Sequence, residues 1–370
     1  MKAKLKPLSQ QILVLTGATS GIGLVTARMA AKRGARLVLA ARGADALNQL
    51  ANELNASPAA KGRTVAVPVV ADVAKEADVA AIAQAAQEHF GGFDTWINNA
   101  GISIYGRIED TPVADMRRLF DTNFFGLVQA SLEAVRHLKT RPGGGVLIQI
   151  GSELSDRTVP LQGVYCASKH AVKGFTDGLR MDLEKENAPV YICLVKPGAI
   201  DTPYPHHAKS FLASEPKHGG PVYAPETVAR AILTVAEKPV RDVWVGGAAA
   251  LVAKMGAKYP ALTDKLLEAS FYAGSESGQP PRPHDDNGLD RSVGRLQERG
   301  GFPGHVKETS AYTEAVLHPA YSAVALAALV GVGLGVTAWA GREKPVTTAR
   351  VLSSARRYSS VLGKVASFLS

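Results

Sequence analysis

Cysteine is nearly absent from this chain of 370 residues. Its two cysteines, Cys166 and Cys193, cannot build a disulfide framework. Neither belongs to a CxxC pair or another ligand-spaced cluster, so the sequence carries no metal motif and points to a reducing compartment. No cleavable leader is expected either: the segment Met1 to Lys6 is basic, but the short apolar run after it leads into a glycine-rich turn rather than a cleavage site. Positive charge is scarcer in the body of the chain than the net +9 suggests, because residues 318–370 carry more than half of it. The remainder is only mildly basic, which argues against nucleic acid as a partner. What is present is 46% hydrophobic and 20% charged sequence. That balance belongs to a globular protein with some extra apolar chain, long enough for two domains or one large domain with appendages.

From the N-terminus onward, apolar runs of buried-strand type alternate with helical periodicity. Residues 12–15 form the first run, followed by Thr16-Gly17-Ala18-Thr19-Ser20-Gly21-Ile22-Gly23 and a helical pattern through Lys32. Strand, glycine-rich turn and helix make a phosphate cradle, since the glycines let backbone approach a pyrophosphate and the helix N-terminus offers free N–H groups. The same glycines also suit a loop that only turns the chain. Residues 35–41 read as a second strand ending in Arg42, and residues 64–70 as a third leading to Asp72 and Val73. Asp72 suits either the adenine edge of a nucleotide or the cap of the following helix. A helical stretch from Glu76 to Phe90 precedes a fourth strand, residues 93–97, which runs into Asn98-Asn99-Ala100-Gly101. Further strands at 145–150, 190–195 and 241–246 complete an α/β pattern, a doubly wound parallel sheet of seven expected strands.

Tyr165 and Lys169 stand at i and i+4 of a helical pattern, on one face about a turn apart. A phenol titrates near a pKa of roughly 10, and a neighbouring cation favours phenolate, so this spacing predicts a tyrosine tuned toward neutral pH. By chance the same spacing occurs on many surface helices.

Six motifs together are more specific. TGATSGIG from Thr16, NNAG from Asn98, Asn123 in Thr-Asn-Phe-Phe-Gly, Ser152, YCASK from Tyr165 and Pro197-Gly198-Ala199-Ile200-Asp201-Thr202 resemble, in order and spacing, the short-chain dehydrogenase/reductase family over residues 10–245. The TGxxxGxG and NNAG forms look like its shorter-subunit branch. The resemblance implies a Rossmann fold around a nicotinamide dinucleotide, with Asn123, Ser152, Tyr165 and Lys169 as catalytic residues. Ser152 would donate to a substrate carbonyl oxygen and Tyr165 would supply the proton. Lys169 would lower the tyrosine pKa and bond the nicotinamide ribose, while Asn123 would bend its helix and hold a water linking Lys169 to solvent.

Cofactor contacts implied by the resemblance come from Gly17, Thr19, Ser20, Gly21, Ile22 and Gly23 in the cradle. Arg42, Asp72 and Val73 would serve the adenosine end, and Asn99, Ala100 and Gly101 the wall. Tyr165, Lys169, Pro197, Gly198, Ile200 and Thr202 would serve the nicotinamide end. Ala41 stands where an acid would hold the ribose hydroxyls, and Arg42 suits a 2′-phosphate, so NADP(H) is favoured over NAD(H). Cys166 is expected to face helix packing. His206 and His207 are expected as exposed residues of a substrate loop at 204–223, and a homo-oligomer is expected.

On this reading residues 1–247 are the catalytic domain and residues 248–273, which keep helical periodicity, a helical cover. Residues 274–314, rich in Gly, Pro and charge, read as a mostly disordered linker. Residues 315–341 contain no Asp, Glu, Lys or Arg, and the core at 320–340 can span a hydrocarbon layer of about 30 Å at roughly 1.5 Å per residue. Tyr321 and Trp339 lie near its ends, as interfacial anchors would. The tail at 342–370 sets Leu352, Ala355 and Leu362 on one helical face and Arg356, Arg357 and Lys364 on the other, the pattern of a helix on anionic lipid. The expectation is a membrane-associated protein with its catalytic domain in the cytoplasm. The positive-inside rule would place the basic tail there too, so the segment either re-enters or the tail crosses despite its charge.

These readings combine into an NADP(H)-dependent oxidoreductase acting on a carbonyl or secondary alcohol of a lipophilic small molecule, with membrane lipid as a second partner. The alternative is a membrane-tethered dinucleotide-binding sensor or scaffold without turnover. Loss of Ser152, Tyr165 or Lys169 would be its signature, and all three are present.

Overall fold

A computed structural model describes residues 4–318. The expected membrane core at 320–340 and the basic tail at 342–370 lie outside the described residues. Residues 315–317, placed in that apolar stretch by sequence, close a short helix of the catalytic unit. Among the described residues no helix is long and apolar enough to cross a membrane.

Seven parallel strands form the sheet: β1 Ile12–Thr16, β2 Arg36–Ala41, β3 Ala66–Val70, β4 Thr95–Asn98, β5 Gly145–Ile150, β6 Val190–Pro197 and β7 Asp242–Val245. Their order is β7-β6-β5-β4-β1-β2-β3, the doubly wound arrangement expected. Helices α1 Gly21–Lys32, α2 Ala44–Ala56, α3 Glu76–Phe90, α4 Val113–Phe120, α5 Gly126–Thr140 and α6 Gly163–Lys185 follow in chain order. After them come α7 Tyr204–His207, α8 Pro225–Glu237, α9 Gly247–Lys258, α10 Pro260–Gly274 and α11 Ala311–Leu317.

The strands are apolar on both faces because both are covered. In β1, Leu13 and Leu15 enter the core layer that α1, α2 and α8 cap with Leu24, Leu47, Leu50 and Ile232. Ile12 and Val14 point the other way, into a layer with Ile82, Trp96, Ala134 and Leu183 from the opposite side of the sheet. This period-2 alternation inside a continuous apolar run is what a central parallel strand requires. Strand order reverses between β1 and β4, so the connections leave in opposite directions there and open a crevice beyond the carboxyl ends of the strands. Every catalytic position implied by the motifs lies on a segment that follows one of these strand ends.

Past β7 the residues expected to form a helical cover are two helices, divided at Tyr259-Pro260, because proline starts α10 where its missing N–H costs nothing. The residues expected to be a disordered linker are held against the catalytic unit. Arg282 pairs with Glu215 at 3.0 Å, Arg118 donates to the Leu289 carbonyl at 2.7 Å, and Arg28 pairs with Glu298 at 2.7 Å. The Asp201 carboxylate accepts from the N–H groups of Gly300 and Phe302 at 3.0 and 3.1 Å. Residues 306–307 add a short parallel ladder to Val222–Tyr223, and the Thr313 hydroxyl in α11 fastens the Gly246 N–H and Trp244 carbonyl at the end of β7. Composition without periodicity suggested disorder, but it did not exclude partners: this segment satisfies its polar groups on the surface of another part of the chain.

Candidate active site

β1 ends at Thr16, and the chain turns at Gly17 into α1. Gly17 has φ +69°, and a Cβ there would lie 2.9 Å from the Ala100 Cα. One on Gly23 would lie 2.1 Å from the Gly17 carbonyl oxygen. Turn, helix start and the end of β4 therefore pack backbone against backbone, which only glycine permits. Asn99 fastens them, its Nδ2 donating to the carbonyls of Thr16 and Gly17 at 3.0 and 3.1 Å. Thr16 Oγ1 accepts from the N–H groups of Asn99 and Ala100 at 3.0 and 3.1 Å. The Asn99 side chain thus holds the cradle together, leaving Ala100 and Gly101 as the wall.

The cleft over this turn is lined by Thr19, Ser20, Gly21, Ile22 and Gly23, then by Arg42, and by Asp72 and Val73 after β3. Asp72 caps a turn rather than the helix: its Oδ1 accepts from Ala74 N–H at 3.1 Å, and the residue before α3 is Lys75. A helix N-terminus approached so closely, with no room for a Cβ at Gly17 or Gly23, fits a pyrophosphate even with the Gly21 N–H taken by the Gln297 carbonyl at 2.9 Å, so the residues present suit a dinucleotide cofactor.

Ser152, Tyr165 and Lys169 meet at the other end of the crevice, with Pro197 at the end of β6 and Gly198, Ile200 and Thr202 beyond it. Ser152 follows β5 and caps a single helical turn, its Oγ accepting from Leu154 N–H at 3.1 Å while Ser155 Oγ accepts from Ser152 N–H. The Tyr165 hydroxyl is hydrogen-bonded with those of Ser152 and Tyr204. Tyr204 in turn donates to Ser103 Oγ at 2.8 Å. Lys169 Nζ donates to the Ile150 carbonyl at 2.9 Å and sits 5.7 Å from the Tyr165 ring centroid.

Asn123 lies buried beneath the site, in a π turn, Asp121–Phe125, that joins α4 to α5. Its Oδ1 accepts from Ile102 N–H and its Nδ2 donates to the Ile102 carbonyl, both at 2.9 Å, and also to Ser168 Oγ at 3.1 Å. Through these bonds the Asn123 side chain joins the segment after β4 to α6. The helix distortion at Asn123 is the one expected, since a π turn widens the helix and frees backbone carbonyls.

Electrostatics in the site differ from the sequence expectation. Burial pushes the Tyr165 phenol up to about 12, and the bonds to Tyr204 and Ser152 only partly oppose it. Burial also draws the Lys169 ammonium down to about 8. The spacing predicted a phenol lowered by its lysine. With the lysine proton held by a carbonyl and both groups out of water, the loss of hydration of each charged form outweighs their attraction. Cys166 packs inside, as expected, and burial raises its thiol to about 11.

His206 and His207 were expected to be exposed but are half-buried under the segment that crosses the cleft. His206 Nε2 lies 3.2 Å from the Gly300 carbonyl, and burial lowers His207 to about 4. Among the described residues no group of His, Cys, Asp and Glu could hold a metal ion.

Several residues of the site escaped sequence reasoning. Glu153 lines the pocket beside Ser152 with its carboxyl raised to about 7 by burial. Its place next to Ser152 was the only available signal. His218 stacks on Tyr204, ring centroids 6.0 Å apart, with its Nε2 buried and unpartnered. Phe271 reaches the same pocket from α10. Neither belongs to a motif, and both arrive from segments whose position only the fold decides. Gly288, Ser292, Val293 and Gly294, from the expected linker, line the cleft that holds Gly17 and Arg42.

Residues 11–212 match the short chain dehydrogenase family. Over 344 residues the chain is 45% identical to the uncharacterized oxidoreductase YxnA of Bacillus subtilis, covering 93% of both proteins. It is 33% identical to farnesol dehydrogenase of Aedes aegypti over 195 residues, 52% of this chain and 78% of that protein. Among solved structures, an alcohol dehydrogenase from the archaeon Thermococcus sibiricus complexed with 5-hydroxy-NADP superposes with a TM-score of 0.54 at 26% identity, covering 64% of this chain and 95% of that one.

Proposed function

The chain belongs to the short-chain dehydrogenase family and is an oxidoreductase, and from that premise we propose that it transfers hydride between NADP(H) and a carbonyl or secondary-alcohol carbon of a lipophilic small molecule. The observation that carries this reading is the convergence of Ser152, Tyr165 and Lys169 on one pocket whose other walls include Tyr105, Leu154, Tyr204 and Phe271. A substrate oxygen set against Ser152 and Tyr165 leaves the rest of its skeleton on those rings and side chains. When bound, the cofactor supplies or accepts the hydride. In reduction, Ser152 Oγ donates a hydrogen bond to the carbonyl oxygen, and Tyr165 passes its proton to that oxygen as negative charge develops there. Lys169 stabilises the phenolate left behind. In oxidation the same phenolate takes the alcohol proton.

Arg42 at the adenosine end, with Ala41 where a ribose-binding acid would stand, supports NADP(H), and the archaeal neighbour is a complex with an NADP derivative. The lipophilic substrate class is supported by the apolar pocket walls and by the likeness to a farnesol dehydrogenase. Association with membrane lipid through the segment at 320–340, with the catalytic domain in the cytoplasm, belongs to the same reading and rests on the sequence alone, as does self-association of the chain. The test is cofactor oxidation by the purified full chain against aldehydes and ketones graded by chain length, with NADPH and NADH in parallel. The expected result is faster turnover with NADPH and kcat/KM that rises with chain length. A preference for NADH overturns the Arg42 argument, and indifference to chain length overturns the substrate class.

The pH dependence follows from the protons that Tyr165 and Lys169 hold between them. Reduction needs the pair with both protons, phenol and ammonium. The first proton leaves near the Lys169 value, about 8, so reduction falls as pH rises through that value. Oxidation needs a pair that has lost one proton and has the phenolate–ammonium form among its states, so it rises over the same interval. Initial rates in both directions between pH 6 and 10, on the order of two units either side of that value, check the crossing. Parallel profiles in the two directions would contradict it.

A further inference from the structure

Residues 284–302 lie beyond the part of the chain that matches the family, yet they sit on the cofactor cleft. Leu296 N–H donates to the Thr19 carbonyl at 3.0 Å, and the Gln297 carbonyl accepts from Gly21 N–H at 2.9 Å, so the strap is bonded to the cradle itself. The packing is close. A Cβ on Gly294 would lie 2.2 Å from Thr19 Oγ1, and one on Gly43 would lie 2.6 Å from Ser292 Oγ. Arg42 is engaged from the same side: its Nη2 donates to the carbonyls of Gly288 at 2.6 Å and Arg291 at 3.2 Å. The strap's own ends are anchored, by Gly288 N–H on the His207 carbonyl at 2.7 Å and by Gly300 N–H on Asp201 at 3.0 Å.

We propose that this strap is the third wall of the cofactor site and that it reads a phosphate on the adenosine ribose through Ser292 and the guanidinium it orients at Arg42. The proposal rests on the NADP(H) reading above. A guanidinium offers five N–H donors in a fixed plane, and two strap carbonyls take up Nη2 while Nε and Nη1 remain for a ligand. Those two groups point to different sides of the guanidinium, so a phosphate monoester takes single charge-assisted N–H bonds from them rather than a bidentate pair. The carbonyls therefore hold the arginine in place without neutralising it. Ser292 Oγ adds a neutral donor beside Gly43, the residue that follows Arg42. Over the whole strap the acids Asp285, Asp286, Asp290 and Glu298 outnumber Arg291, Arg295 and Arg299, so the cation that matters is Arg42 itself. Arg291 is paired with Asp286 at 2.6 Å. Asp290 is already engaged by Arg118 and Lys209, at 2.5 and 3.3 Å. A dinucleotide lacking the 2′-phosphate would meet the strap as a steric wall only.

The test measures binding, not turnover, with the full chain and with NADPH and NADH as the probes. Dissociation constants come from the change in nicotinamide fluorescence, and amide hydrogen exchange is followed across residues 288–297. Ser292→Ala is expected to weaken NADPH about tenfold and NADH less than about twofold, as the loss of one charge-assisted hydrogen bond would. Gly294→Val forces the strap off Thr19 and should weaken both cofactors. NADPH should slow exchange in the strap of the wild-type protein. Ser292 is exposed, so its truncation leaves the fold intact and keeps the test open if Gly294→Val misfolds. Wild-type preference for NADPH with unchanged binding in both variants overturns the strap's role and leaves Arg42 alone as the discriminator. Wild-type preference for NADH overturns the cofactor reading and, with it, the phosphate assignment.

Discussion

Replacing Tyr165 by phenylalanine is expected to lower turnover by about 10²–10⁴-fold, the usual worth of a positioned proton donor, with NADPH affinity nearly unchanged. The substitution removes one oxygen and keeps the ring. That ring packs edge-on against Tyr204, centroids 5.5 Å apart, and belongs to a core cluster with Leu154, Val164 and Leu267. Phenylalanine fills the same volume. The hydroxyl gives up its bonds to Ser152 and Tyr204, each worth about 1 kcal/mol, and both partners keep other contacts: Ser152 with Leu154 N–H, Tyr204 with Ser103. The cradle at Gly17–Gly23 and the Arg42 end of the cleft do not touch residue 165, so binding is measured separately from chemistry. Single-turnover oxidation of NADPH gives the first and fluorescence titration the second. Equal losses in both would make Tyr165 a packing residue, and turnover close to wild type would remove the proton step assigned to it.

How far the site could be read without coordinates depended on how local each signal was. The cradle was fully legible, because strand, glycine turn and helix are consecutive in the chain and the need for glycine at positions 17 and 23 is a backbone property. The doubly wound parallel sheet of seven strands followed from the same alternation of apolar runs and helical periods, though not the order of the strands. Tyr165 and Lys169 were placed on one face of α6 correctly by their spacing. Their titration was not, since it depends on burial, and burial arises from Tyr204, Phe271 and the segment after β6 arriving over the site from elsewhere. Asn123 was legible as a helix irregularity, but its bonds to Ile102 and Ser168 join segments far apart in sequence. The strap was illegible for a related reason. Its Gly, Pro and charged residues have no period, and its stability comes from pairing with Asp201, Glu215, Arg28 and Arg118, which lie on four other segments. A sequence window sees a segment's own preferences and misses partners supplied at a distance.

Gly23→Val carries the largest expected loss of cofactor affinity, more than about 100-fold, because the position has no space in any direction that matters. Its hypothetical Cβ is 2.1 Å from the Gly17 carbonyl oxygen and 2.6 Å from Asn99 Nδ2, both well inside contact distance for atoms that are themselves pinned. Gly17 cannot retreat: it is held at φ +69° with the Ala100 Cα 2.9 Å from its own Cβ direction. Asn99 cannot swing away without losing its bonds to Thr16 and Gly17, and those bonds close the cradle. The first turn of α1 must therefore lift from the strand end, and the helix N-terminus no longer presents its N–H groups to a pyrophosphate at the required distance. Overpacking of this kind costs about 1–3 kcal/mol of stability, a small part of what a sheet buried on both faces provides, so the fold should persist with a lower melting temperature. The matched control is Gly174→Ala on the exposed side of α6, where nothing lies within 4 Å of the new Cβ. There alanine should raise stability by about 0.5–1 kcal/mol and leave cofactor binding alone. Circular dichroism and NADPH titration of the two variants separate a lost cradle from a lost fold. If Gly23→Val binds NADPH as the wild type does, the turn is not where the pyrophosphate sits.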